Sequence, residues 1–197
     1  AGVFSSELYD EWLNKVLEGQ GAVEACNTGD ADAAISAAAQ VVEASYEVPF
    51  LAHACMEPMT ATAHVTGETC EMWAPTQSAG NLQNAVAKAL DIEKANITIN
   101  RTYLGTGFGR KVETDFGVQA ALISKAVGKP VKLIWSREED IKNDFYRPGF
   151  KLKIEAAFSD SGKLEGWRAT SAGESILSDR GLNFPVDPVS VDGLITL

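Results

Sequence analysis

The stretch ITINRTYLGTGFGRKVETDFGVQAALISKAVGKPVKLIW, residues 97–135, constrains the fold more than any other part of this sequence. It opens on a β-branched run, ITINRTY, that reads as a strand ending near Tyr103. Phe116, Ala120, Ile123 and Val127 then recur at helical spacing until Gly128-Lys129-Pro130 stops them. VKLIW follows as a second strand. Its apolar residues fall on both faces once Lys132 extends along its stem, so the pattern predicts an interior strand over Val131–Trp135. Between the first strand and the helix stands GTGFGRK. Three glycines at alternate positions destabilise regular structure, so Gly105–Arg110 should form an exposed turn, with the helix beginning near Lys111 or Val112.

The remaining segments fit around this unit. Ser5-Ser6 can cap a helix whose Leu8, Trp12, Leu13, Val16 and Leu17 share a face and which Gly19 and Gly21 end. A second helix starts at Asp30 and runs through AAISAAAQ. VVEASYEV alternates and stops at Pro49, as a strand does. MTATAHVTGETCEMW is a hairpin around Thr66-Gly67-Glu68, and SAGNLQNAVAKALDI is a helix with Leu82, Val86 and Leu90 on one face. FKLKIEAAF and KLEGWRATSAG form a hairpin across Ser159-Asp160-Ser161-Gly162. Two hairpins among alternating helices and strands give an α+β fold, a mixed sheet with packed helices.

Composition narrows the function. A formal charge of −10 repels nucleic acid and anionic membrane, and no basic cluster is longer than Arg110-Lys111. No run approaches the ~18 apolar residues of a spanning helix, and 45% hydrophobic content suffices for a globular core. Cys26, Cys55 and Cys70 have neither CxxC spacing nor an even count, so all three read as small buried apolar residues. His53 and Glu57 in HACMEP would make a metal or acid–base pair only on a continuous helix, which Pro49 and Pro58 oppose. A structural hydrogen bond fits better. His64 falls on the outer side of an alternating strand, Gln77 reads as a helix-capping residue, and Glu138-Glu139-Asp140 reads as a solvated end to VKLIW with local pairing to Arg137.

The glycine loop fits neither common nucleotide motif. GxGxxG would need glycine where Arg110 stands, and GxxxxGK would need Ser or Thr where Val112 stands. Two readings stay open. In one, the glycines let a ligand approach free amides at a helix start, with Arg110 and Lys111 raising the local potential and Glu113 and Asp115 partly offsetting them. In the other, the loop is a tight turn with Phe108 buried in the core.

Four blocks occur in fixed order: YEVPFLAHACMEPMTATAHV, EMWAPTQSAGNLQNAVAKAL, GTGFGRK and GKPVKLIWSREEDIKNDFYRP. Together, over Val41–Gly173, they resemble the molybdenum-binding large subunits of the xanthine dehydrogenase and aldehyde oxidase family. The nearest branch is that of isoquinoline 1-oxidoreductase β-subunits and membrane-associated aldehyde dehydrogenase large subunits. The resemblance implies a molybdenum cofactor-binding domain type of fold, and an oxidoreductase that hydroxylates aldehydes or N-heterocycles with oxygen from water. It implies molybdopterin in its cytosine dinucleotide form, a small iron–sulfur subunit, a cytochrome or other electron acceptor, and a periplasmic or membrane-associated location. Carried residue by residue, it sets Gly105, Gly107, Phe108, Gly109 and Arg110 at the cofactor, an amide toward an oxo ligand and the Phe108 ring along the substrate pocket.

There are departures. Thr106 replaces the middle glycine of a triplet, and Leu51 stands where several members carry a metal-proximal Gln. Large subunits of the family are several times longer, with their general-base glutamate in the C-terminal region. The resemblance therefore implies a fragment with no catalytic residue and no metal ligand of its own, inactive and without cofactor in isolation. It divides into a helical lead-in at 1–40, the molybdopterin-contacting domain at 41–173 and an exit segment at 174–197. The rival readings are a non-catalytic binding or interaction domain of the same fold and, more remotely, an enzyme holding a phosphate ligand on the same loop.

Overall fold

The computed structural model of the protein describes residues 5–19 and 21–191, so residues 192–197 of the expected exit segment lie outside the described residues. The chain forms two compact units, one of residues 1–51 with 147–197 and one of 52–146.

In the first unit, α1 (Ser6–Leu17) begins where Ser5 accepts a hydrogen bond from the Leu8 amide, and α2 (Ala31–Ala37) begins where Asp30 accepts one from Ala33. An antiparallel sheet has the order β1 (Gln40–Val48), β6 (Phe150–Phe158), β7 (Leu164–Gly173). The helices pack on β6 and β7. Lys151 meets Asp10 and Asn14 of α1, Arg168 pairs with Asp32 of α2, and Gly166 leaves room for Ala34, whose Cβ would lie 2.8 Å from a Cβ added there. Of the apolar face expected on α1, Leu13 is buried, whereas Leu8 and Trp12 are exposed.

The second unit carries a four-stranded sheet in the order β4 (Ile97–Arg101), β3 (Thr69–Ala74), β2 (Thr60–Thr66), β5 (Val131–Ile134). Pairing is antiparallel except between β3 and β4. Those two are joined through α3 (Ala79–Leu90), the crossover that a parallel pair requires. Alternation puts Ala61, Ala63, Val65, Cys70, Met72 and Ala74 on one face, where they are buried with Leu82, Val86 and Leu90 of α3 and Phe116, Ala120 and Ala121 of α4 (Asp115–Val127). A Cβ at Gly117 would stand 2.5 Å from Leu82, so the glycine sets how closely the two helices approach. Gly128, at φ +65°, ends α4 as expected.

Three expectations need correction. VKLIW is an edge strand: β5 pairs only with β2, Val131 and Leu133 are half-buried, and Lys132 and Ile134 face outward, Ile134 at 58% exposure. Helix α4 starts at Asp115 rather than at 111 or 112, because Arg110–Val112 make a separate 3₁₀ turn and Glu113 is extended. Of the cysteines, Cys55 and Cys70 are buried but Cys26 is exposed.

Candidate functional site

The glycine loop lies in the second unit, between β4 and the 3₁₀ turn, and three neighbouring segments hold it. Ahead of β2, the Glu57 amide donates to the Gly105 carbonyl at 2.9 Å, and Glu57 Oε2 accepts from the Gly105 amide at 3.1 Å and from Lys111 Nζ at 2.5 Å. The Met56 amide donates to Thr106 Oγ1 at 3.0 Å, and the Cys55 thiol lies 3.3 Å from the Gly107 carbonyl. Ahead of α3, Gln77 Oε1 accepts from both the Gly109 and Lys111 amides at 3.2 Å, while the Gln77 amide donates to the Lys111 carbonyl at 2.9 Å. From α5 (Arg137–Lys142), Arg137 Nη2 donates to the Cys55 and Met56 carbonyls and so backs the segment that grips the loop.

These contacts explain the glycines individually. A Cβ at Gly105 would meet Glu57 Cβ at 2.5 Å, and one at Gly107 would meet Gln77 Oε1 at 2.5 Å. Gly109 has open space but sits at φ +99°. Two of the three glycines therefore admit polar clamps from the protein itself. Thr106 and Phe108 also take positive φ, +75° and +52°, a conformation costing about 1–3 kcal/mol for such residues. For Thr106, the hydrogen bond from Met56 to its hydroxyl returns about 0.5–1.5 kcal/mol.

The loop turns its cations inward. Arg110 and Lys111 are 1% and 0% exposed, so they are no free positive patch. Arg110 makes a two-pronged bond to Asp115 at 3.0 and 2.7 Å. Its Nε lies 3.0 Å from Asp144 Oδ1, an ion pair by distance without the alignment of a hydrogen bond. Its guanidinium also sits 4.9 Å from the ring centre of Phe145 and 5.6 Å from that of Trp135. Burial opposes its charge, but Asp115, Asp144 and Asp140 together hold its pKa above the ordinary value. Asp144, with a side chain only 2% exposed, also accepts from the His53 amide at 2.6 Å and lies 3.0 Å from His53 Nδ1. His53 thus has the structural hydrogen bond its sequence context suggested.

Thr106 and Phe108 are exposed, and Gly107 between them is buried. The amides of Thr106, Gly107 and Phe108 have no hydrogen-bond partner among the described residues. Phe108 is 71% exposed, which removes the reading of a tight turn built around a buried ring. Met56, which touches Thr106 through its amide, is exposed too. A cleft of about 700 Å³ is lined by the contacts of Arg110, namely Asp115, Trp135, Asp144 and Phe145, together with Gln119 and Asn143. Among the described residues no group of three or more His, Cys, Asp or Glu could hold a metal ion.

Two roles differ from the sequence reading. Gln77 does not cap α3: Ser78 occupies that position, and the Gln77 carboxamide goes to the glycine loop instead. Asp140 is not a solvated end residue. It is buried and paired with Arg137 at 2.6 Å, while Glu138 and Glu139 are exposed. His64 is exposed, as its strand position suggested.

Residues 14–181 match the molybdopterin cofactor-binding domain, and the chain belongs to that family. Among relatives, it is 33% identical to the isoquinoline 1-oxidoreductase subunit beta of Brevundimonas diminuta over 88% of this chain and 23% of that protein. It is 29% identical to a membrane-bound aldehyde dehydrogenase of Gluconacetobacter polyoxogenes, whose name carries pyrroloquinoline quinone, over 95% of this chain and 25% of that one. The quinoline 2-oxidoreductase of Pseudomonas putida 86 shares the fold, with a TM-score of 0.63 and 24% identity over 72% of this chain and 18% of that one. The chain spans about a quarter of the length of these curated relatives.

Proposed function

We propose that the chain supplies the molybdenum-end loop of a molybdopterin-dependent oxidoreductase acting on aldehydes or N-heterocycles. The observation that carries this reading is the run of three unpartnered amides at Thr106, Gly107 and Phe108, beside an exposed aromatic ring in a loop whose flanks are fixed. The donor set fits the group, because amides aimed at an oxo-rich ligand stabilise charge without moving. When bound, the cofactor supplies a two-electron oxidation that places an oxygen from water on the substrate carbon.

Within this chain the work is divided among the six loop positions. The Gly107 and Phe108 amides, with that of Thr106, orient the oxo end, and the Phe108 ring excludes water and lines the substrate side. Gly105 and Gly109 are tied back to Glu57 and Gln77. Arg110 acts from beneath the loop, since its donors face Asp115 and Asp144. The finer reading includes the cytosine dinucleotide form of the cofactor, an iron–sulfur subunit with a cytochrome or other acceptor, and a periplasmic or membrane-associated assembly. The chain alone is expected to be inactive, because one edge of a cofactor pocket does not bury the rest.

The test is metal and pterin analysis of the native protein carrying this sequence, with turnover of an aldehyde and an N-heterocycle. Stoichiometric molybdenum and pterin, with turnover reduced in Phe108→Ala, are expected. A native protein free of both would favour the non-catalytic binding domain. Stoichiometric molybdenum in the isolated 197-residue chain would refute the expectation that it holds no cofactor alone.

A further inference from the structure

From the geometry we infer that Glu57 is the positioning residue of the loop, a clamp that fixes the amides of residues 106–108 before any ligand arrives. The inference rests on the reading of those amides as the cofactor edge, although the clamp itself is visible without a ligand. Glu57 grips both ends of the loop. Its amide and carboxylate hold the Gly105 peptide at 2.9 and 3.1 Å, and the same Oε2 holds Lys111 Nζ at 2.5 Å, six residues further on.

Lys111 is fully buried and Glu57 is its ion-pair partner among the described residues, so removing the carboxylate strands a buried cation. Glu57 is itself anchored. It follows Cys55 and Met56, whose carbonyls accept from Arg137, and Arg137 is paired with the buried Asp140. The segment is pinned by these bonds where three loop amides have none, which is the arrangement a preformed cradle requires. Gly105 completes the case. Its missing side chain leaves the space that the Glu57 Cβ needs, so the two residues are matched sterically as well as by charge.

The test is amide hydrogen exchange on this chain without cofactor, comparing wild type, Glu57→Ala, Glu57→Gln and Glu57→Gln with Lys111→Met. A clamp predicts at least tenfold faster exchange in Glu57→Ala at Gly105 and also at the Gly109 and Lys111 amides. Those two are bonded to Gln77 and not to Glu57, so a local role would leave them unchanged. Glu57→Gln should loosen the same sites through the stranded lysine, and adding Lys111→Met should restore most of the protection. Unchanged Gly109 and Lys111 exchange in Glu57→Ala overturns the inference. So does a double variant as loose as Glu57→Gln, which is the decisive comparison if Glu57→Ala fails to fold. A separate arm compares exchange in the native protein carrying this sequence, with and without its cofactor. Absence of added protection at residues 106–108 in the loaded form counts against the cofactor reading and leaves the clamp standing.

Discussion

Truncating Arg110 should be among the most costly single changes in the second unit. Its side chain is fully buried, with Asp115 at 28% exposure on one side and Asp144 at 2% on the other. Arg110→Ala lets water reach Asp115 but leaves Asp144 in the interior with only His53 and its amide for company. Breaking a buried pair from one side costs about 3–5 kcal/mol, and the contacts with Phe145 and Trp135 add about 0.5–2 kcal/mol where they are desolvated. Taking about 4 kcal/mol and a urea slope of about 2 kcal/mol per molar, the midpoint should fall by roughly 2 M. Amide exchange in α3 and α4 against urea reads this in the second unit. Asp115→Asn is the internal control, since Asp144 stays beside the guanidinium, and its cost should be nearer 1 kcal/mol. A loss under about 1 kcal/mol for Arg110→Ala would show that the cluster contributes no more than a surface pair and that the loop is not anchored from beneath.

Three further outcomes follow from the same structure. Phe108→Ala should change stability by no more than about 0.5 kcal/mol in urea unfolding, because the ring is 71% exposed; a loss of several kcal/mol would mean that it fills a core. Gly105→Ala, which meets Glu57 Cβ at 2.5 Å, should cost about 1–3 kcal/mol. Gly80→Ala in α3 has open space around it and should gain about 0.5–1 kcal/mol, and equal effects at the two sites would contradict the steric match. Burial is the main cause holding Asp140 above its ordinary value of 3.8, with Asp144 adding to it and Arg137, Arg110 and Lys111 opposing. A raised carboxyl contributes stability that is fully present below the unfolded value and lost as pH rises through the folded one. Asp140→Asn should therefore gain on wild type as pH rises from about 3 to 7; urea midpoints that diverge the other way would show that the bond to Arg137 dominates.

The elements were legible because their signals are local. Ser5, Asp30 and Gly128 mark helix ends by their own chemistry, and the alternation in ATAHV and TCEMW gives the hairpin its buried face without reference to the rest of the chain. VKLIW failed because apolar content on two faces is shared by an interior strand and by an edge strand with one outward isoleucine; sheet order decides between them, and order is a long-range property. Gln77 failed for a similar reason. In TQSAG it precedes a helix, which is a capping context, but its partners Gly109 and Lys111 are 32 and 34 residues away. Both cations after the glycines looked like a positive patch because nothing local shows that Asp144 and Glu57 lie beneath them. The one available signal was the spacing of acidic residues in HACMEP and IKNDF, and spacing alone does not pair them.

The inward turn of Arg110 and Lys111 alters how the loop should be understood. Buried ion pairs are seldom the most stable way to fill a core, since desolvation offsets much of their attraction. Two of them beneath a five-residue turn need a reason other than stability. The turn supplies one: Thr106 and Phe108 hold positive φ at a cost of about 1–3 kcal/mol each, and a loop left to itself would relax out of that conformation. Pairs with fixed geometry at Arg110 and Lys111, with Glu57 and Gln77 on the flanks, oppose that relaxation and leave three amides without a partner among the described residues. On the proposed reading, attraction for an anionic ligand comes from peptide dipoles rather than from mobile cations. Such donors would require no reorganisation when charge develops in front of them, and that reading gives a reason for the strain at Thr106 and Phe108.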